Sequence, residues 1–186
     1  EQFVAQGYAQ ASVRSIAAKA GFSPAAIYAY FASKDDIFFA LAEEGFRLLG
    51  GTSMACATAS ADPLENVRAV IWRIYEFSKE HPEYFALVFL DRHVPRISRE
   101  YEGFAFISEM KARVHTQIER SIANGDLPST LEPQAVMRLL SAPVLGIAAM
   151  RLSNRLGPGE DADALARTAL DLVLTGLRQS APAFHP

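Results

Sequence analysis

A single cysteine, Cys56, stands among the 186 residues, so no internal disulfide can form and a reducing cytoplasm suits the chain. No run approaches the ~20 apolar residues needed to cross a bilayer, and no secretory signal is visible. The expectation is a cytoplasmic protein with no membrane partner. The four histidines, His81, His93, His115 and His185, are scattered, with no His-x-x-x-His pair and no cysteine partners for zinc. Gly50-Gly51-Thr52-Ser53 lacks the preceding strand and the lysine of a phosphate-binding loop. Asp91-Arg92-His93 is a dense polar trio, but adjacent helical residues point in different directions, which reads as a solvated helix end. With no nucleophile elbow either, no metal, cofactor or catalytic residue is assigned.

Positive charge is also scarce: 18 lysines and arginines face 21 aspartates and glutamates, a net charge of −3. Its distribution is uneven. Up to Lys34 the chain holds Arg14, Lys19 and Lys34 against Glu1 alone. A locally basic head on an acidic body suffices for nucleic-acid contact, because phosphate contacts are local.

Residues 12–36 are the most informative stretch. Ser12 is a candidate N-cap for a helix over Val13 to Ala20, whose Val13, Ile16, Ala17 and Ala20 recur at helical spacing. Ala17 is small where a second helix would cross closely. Gly21 falls where the chain must reverse, in the left-handed conformation that costs glycine little. Phe22 is expected to plug the core between the helices. Ser23 caps the next, short helix, with Pro24 in its first turn and Ile27 and Phe31 facing inward. Ser33 caps a longer helix, and Asp35 and Asp36 complement its dipole. A hairpin that only packs has similar parts, but a short second helix with small outer residues is the shape of a helix-turn-helix that enters the major groove.

These residues resemble a known family. Gly7-Tyr8, Ser12-Val13-Arg14-Ser15-Ile16-Ala17, Ala20-Gly21-Phe22-Ser23, Ile27-Tyr28-Ala29-Tyr30-Phe31 and Ser33-Lys34 are similar to the DNA-binding domain of the tetracycline-repressor (TetR) family. The resemblance covers about the first quarter of the chain. Glu1-Gln2-Phe3 resembles the end of the family's first helix, which implies that this helix starts outside the given sequence. The resemblance further implies that Ser12, Ser23, Tyr28 and Tyr30 contact phosphates, with Lys34 adding charge at a helix start. Arg14 is then the candidate for a phosphate or a guanine. Pro24, Ala25, Ala26 and Ala29 lie on the exposed side of the reading helix, small enough for close approach but unable to read a base by paired hydrogen bonds. Sequence preference would then depend on Arg14, Tyr28 and DNA shape.

The rest reads as helices, so the fold class is all-α: an N-terminal helix-turn-helix head over 1–50 and a helical ligand-binding and dimerisation bundle over 51–186. Ser33 to Gly50 forms a helix with Ile37, Leu41 and Leu48 along one side, followed by a small-residue linker to Ala61. Helices are expected from Asp62-Pro63 to His81-Pro82, with Leu64, Val67, Ile71, Ile74 and Tyr75 on one face, and from Glu83 to Arg92. A long one follows from Ser98 to Asn124, with Phe104, Ile107, Lys111, Val114 and Ile118 inward. Two more run from Pro133 to Leu156 and from Asp161 to Ser180, around Gly157-Pro158-Gly159. Strand-like alternation and internal repeats are missing.

Two features of this body bear on function. The penultimate helix is apolar nearly all round, which requires cover on two sides. One side is the subunit's own core; the other is a partner subunit or more of the same domain. The family resemblance implies the partner, and the expected interface comprises Leu139, Pro143, Ile147, Met150, Ala169, Leu172, Val173 and Gly176, with Pro143 bending its helix. The second feature is a cluster of aromatics, which is either plain core or a ligand box. The resemblance implies a small-molecule effector, largely apolar or aromatic, bound among Trp72, Tyr75, Phe85, Phe89, Tyr101, Phe104 and Met110. Polar anchors are expected among Tyr75, Tyr101, His81, His93 and His115. The reading is a repressor that binds a palindromic double-stranded operator as a homodimer. Competing readings are an all-α interaction module without DNA binding and, more weakly, a helical enzyme.

Overall fold

A computed structural model describes Tyr8 and residues 11–56, 59–91 and 105–179, with side chains at 52–56 and 105–107 left aside. Among the described residues all regular structure is helical: α1 (Val13–Ala20), α2 (Pro24–Tyr28), α3 (Lys34–Cys56), α4 (Pro63–Glu80), α5 (Pro82–Phe85), a π-turn (Ala86–Leu90), α6 (Ala105–Ala123), α7 (Pro133–Leu152) and α8 (Ala162–Gln179).

The helix starts follow from their caps. Ser12 and Ser15 form a reciprocal box, each hydroxyl accepting the other's backbone N–H at 3.1 Å. Ser23 Oγ accepts from Ala26 N at 3.1 Å with Pro24 in the first turn. Ser33 and Asp36 repeat the box at the head of α3, at 3.1 and 2.8 Å. Asp62 accepts from Leu64 N at 2.8 Å ahead of Pro63. Gly21, at φ 74°, ends α1, and Phe22 N closes the turn on Ala17 O at 2.9 Å.

Two apolar clusters result. The smaller, in the head, joins Ala11, Val13, Ile37, Phe38, Ala42 and Leu87, with Tyr8, Ile16, Ile27 and Phe31 packed against it. The larger fills the body, where α4 lies among α3, α6 and α7, and its largest sealed side chains include Tyr75, Phe46, Phe77 and Phe85. The π-turn belongs to both: Leu87 lies in the head cluster, while Phe89 packs on the body cluster. Gly45 makes a close approach possible beside it, since a Cβ there would stand 3.0 Å from the Tyr84 ring.

Several expectations are corrected. Phe22 is 60% exposed rather than a core plug: the reversal at Gly21 carries the chain past the helix crossing, which the sealed Ala17 already fills. The helix begun at Ser33 does not stop at Gly50 but continues to Cys56, because a Gly-Gly pair costs only ~1 kcal/mol per residue in a helix whose preceding turn is packed through Phe46 and Leu49. Its sealed residues are Phe38, Ala42, Phe46 and Leu49, with Leu41 and Leu48 half-buried. The segment from Glu83 to Arg92 is broken at Phe85, where the bonding widens to the π pattern. The last two helices end at Leu152 and Gln179. Finally, α7 is by length and composition apolar enough to cross a membrane, contrary to the expectation from uninterrupted runs; its Val136, Leu140, Val144 and Ala148 are sealed in the body core.

Candidate DNA-reading head and effector cavity

The head presents its outer face without cover. Arg14, Ser23, Pro24, Ala25, Tyr28, Ala29 and Tyr30 are exposed, Ala26 is half-buried, and Ser12 is exposed at the cap of α1. Tyr28 and Tyr30 are 53% and 85% exposed, far more than a packing role needs. The capping oxygens of Ser12 and Ser23 accept backbone N–H groups, which fixes each hydroxyl at a helix start where N–H groups point outward.

Lys34 sits differently. It is half-buried, and its Nζ donates to the carbonyl oxygens of Tyr8 at 2.6 Å and Ala11 at 2.9 Å. Two of its three N–H groups are thus turned inward. Tyr8 is a junction in its own right: its hydroxyl donates to Asp35, its backbone N–H donates to Asp91 Oδ2 at 2.8 Å, and its ring meets Phe38 edge-on. Asp91 ends the π-turn, so this junction ties the head to the body. The periodicity of α3 places Lys34 at the helix start but carries no sign of the Tyr8 carbonyl, 26 residues away.

The body contains a cavity of about 170 Å³ among α3, α4, the π-turn, α6 and α7. Phe46, Leu49, Val70, Ile71, Ile74, Phe89, Met110, Val114, Met137 and Leu145 give it apolar walls, and Lys111 and Ser141 are the polar residues among the described lining. Of the aromatic box expected from sequence, Phe89 and Met110 line this cavity. Phe85 is sealed in the core beside Phe89, ring centres 4.9 Å apart. Trp72 lies instead on a second hollow with Arg68, Arg167 and Leu170, the Arg167 guanidinium 3.9 Å over its ring. Tyr75 is fully buried and donates to Asp163 Oδ1 at 2.9 Å. Tyr101, Phe104 and His93 lie outside the described residues. Neither His81 nor His115 lines the cavity: His81 packs near Phe77 and Tyr84, and His115 pairs with Glu119 at 3.4 Å. Most of the aliphatic lining sits at core-like positions, which sequence pattern cannot tell from solid core.

Around Tyr75, burial and then the Asp163 carboxylate push the phenol up to about 12. The Lys79 hydrogen bond, 2.6 Å long, holds Asp163 below the usual carboxylate range.

On α7 and α8, Leu139, Met150, Leu165 and Leu172 are exposed, Leu172 by 67%. Pro143, Ala169 and Val173 are half-buried and Gly176 is exposed. Ile147 instead belongs to the body core. The α7 helix runs through Pro143.

The family described as bacterial regulatory proteins, tetR family, matches residues 1–41, and the tetracyclin repressor-like C-terminal domain matches residues 67–173, more than half of the chain. The chain belongs to the TetR family. It is accordingly a helix-turn-helix transcriptional regulator and not an enzyme. Solved TetR-family folds superpose along nearly its whole length. The regulator FadR from Bacillus subtilis in complex with stearoyl-CoA aligns with a TM-score of 0.77 at 18% identity, over 94% of this chain and 92% of that one. The regulator PfmR from Thermus thermophilus gives 0.73 at 22%, over 95% and 94%. The ketosteroid regulator KstR2 of Mycobacterium tuberculosis gives 0.71 at 20%, over 96% and 90%. No curated protein sequence matches the chain. In this TetR-family regulator the matched head coincides with the exposed α1–α2 face, and the matched C-terminal domain spans most of the cavity lining.

Proposed function

We propose that the chain is a cytoplasmic homodimeric repressor that reads a palindromic operator through α2 and is released by a small, mostly apolar effector held in the body cavity. The observation that carries this reading is the union of Leu87 and Phe89 in one π-turn, the first in the head core and the second on the cavity wall. A ligand that displaces Phe89 acts within two residues of the head. Only a ligand with different affinity for two head arrangements can use such a link.

Ser12, Ser23, Tyr28 and Tyr30 are proposed as phosphate contacts, with Arg14 at a base edge or phosphate and Pro24, Ala25, Ala26 and Ala29 against the groove wall. The exposed strip of Leu139, Met150, Leu165 and Leu172 supports pairing through α7 and α8. A two-fold dimer sets its reading helices on consecutive major-groove faces, ~34–36 Å apart. The aligned FadR structure holds stearoyl-CoA, which supports an effector of apolar character.

Selection from a random DNA pool tests the reading. Enriched sequences with two inverted half-sites about one helical turn apart are expected. Enrichment without dyad symmetry, or none above a scrambled duplex at physiological salt, overturns it.

A further inference from the structure

We infer that the effector is a compact, uncharged one-ring molecule whose hydroxyl group donates a hydrogen bond to Ser141; this rests on the effector reading above. Ser141 stands on α7 between Met137 and Leu145, about one turn from each, and all three line the cavity. It is a half-buried hydroxyl set within an apolar stripe. Its Oγ donates to the Arg138 carbonyl oxygen at 3.2 Å, so its one proton is in use and its lone pairs remain for a donor. A ligand hydroxyl meets that requirement. An ether or a ketone brings acceptors alone and would have to displace the helix carbonyl.

The rest of the described lining rejects charge. Ten of its twelve residues are apolar, and Phe46, Leu49, Val70, Ile71 and Val114 are buried. An ion placed among them loses its hydration with no donor or acceptor in return. Lys111, the other polar residue of that lining, is exposed and already has an interaction partner, so the polar contact to the ligand falls to Ser141.

Volume narrows the class. A dry apolar cavity of about 150 Å³ binds benzene, so 170 Å³ accommodates one ring with small substituents. Met110 and Met137 can shift to admit a methyl group more. A stearoyl chain, as in the aligned FadR complex, does not fit this space.

The test is calorimetric titration of the full chain, without DNA, using p-cresol, toluene, p-methylanisole and p-toluate. Toluene and the methyl ether bracket p-cresol in size and lack its donor, and p-toluate carries a negative charge on the same ring. The expected result is that p-cresol binds, toluene and the ether bind about two- to tenfold more weakly, the range of one neutral hydrogen bond, and p-toluate is undetectable. Ser141→Ala should lower p-cresol binding to the level of toluene and leave toluene binding unchanged, which a serine that merely shapes the wall would not do. Equal binding of p-cresol and its methyl ether overturns the inference. So do p-cresol binding unchanged by Ser141→Ala, an equal loss of p-cresol and toluene, p-toluate binding as tightly as p-cresol, or no binding of p-cresol. Each of these can occur with a palindromic operator still selected, so failure here is distinct from failure of the regulator reading.

Discussion

Lys34 and Tyr8 are locked together twice: the ammonium donates to the Tyr8 carbonyl at 2.6 Å and lies 4.2 Å from the centre of the Tyr8 ring. A cation that holds a carbonyl and a π face at once fixes the segment before α1 against the start of α3. Removing it should act in two ways. Lys34→Ala is expected to lower stability by about 1.5–3 kcal/mol, the range of hydrogen bonds to a charged group. It should also weaken all DNA sequences alike and flatten the log–log salt slope by about 1, the contribution of one neutralised phosphate. Thermal melting and filter binding at several salt concentrations measure the two separately. A lowered melting temperature with an unchanged slope removes Lys34 from the phosphate contacts and leaves it a positioning residue.

The π-turn leads to a second expectation. Leu87 is 3% exposed in the head core while Phe89, two residues on, borders the cavity. Leu87→Ala should destabilise by about 2–4 kcal/mol and weaken the grip of the body on the head. Effector then still binds, but its effect on operator affinity falls. Calorimetry for the ligand and a gel shift with and without it separate the two quantities. Undiminished release would show that coupling runs by another path.

Legibility from sequence differed sharply between levels. The head could be read because its signals are local. Ser12, Ser23 and Ser33 cap within three residues, and Gly21 reverses the chain where it stands. The faces of α4 could be read because Leu64, Val67, Ile71 and Tyr75 repeat at helical spacing and all are buried. Phe22 could not, since whether an aromatic after a turn points inward depends on what already fills the crossing. The cavity was the least legible feature. Phe89 and Met110 were in the expected set, yet Phe46, Leu49, Val70 and Met137 carry the same periodic signature as solid core. Lys111 was placed on the inner stripe of its helix by spacing alone, and its position beside the cavity required the packing of four other elements. The Tyr8–Asp91 bond spans 83 residues and leaves no trace in either local pattern.

Leu172 offers a test of the subunit contact. Its side chain is 67% exposed on α8, beside half-buried Ala169 and Val173. A charge there costs the monomer little, because the site already faces water, but would be desolvated in an α7–α8 pairing. Leu172→Glu is expected to keep its melting cooperativity and run as a monomer in sedimentation equilibrium. Operator affinity should fall about a hundredfold or more, since each head then binds without the effective concentration supplied by its twin. A dimeric Leu172→Glu protein would move the interface elsewhere.

The buried Tyr75 hydroxyl and Asp163 set a pH dependence of opposite sign at the two ends of the scale. The phenol is pushed up from 10.0 to about 12, first by burial and then by Asp163. Folding therefore favours its protonated form. That contribution is complete below pH 10 and is lost as pH rises from about 10 to about 12, by linkage of about 1.4 kcal/mol per pH unit at most. Asp163 is held below its ordinary 3.8, first by the Lys79 hydrogen bond. Its contribution is present above about pH 4 and is lost as pH falls through the lowered value. Tyr75→Phe should cost about 1 kcal/mol at pH 7, one hydrogen bond, and the gap to wild type should close and then change sign as pH rises from 10 to 12, because Phe does not titrate. Asp163→Asn should show the mirror pattern, destabilised at pH 7 and converging on wild type below pH 4. Denaturant melts of the three proteins across pH test both limbs, and gaps that stay constant with pH would mean that neither group is coupled to folding.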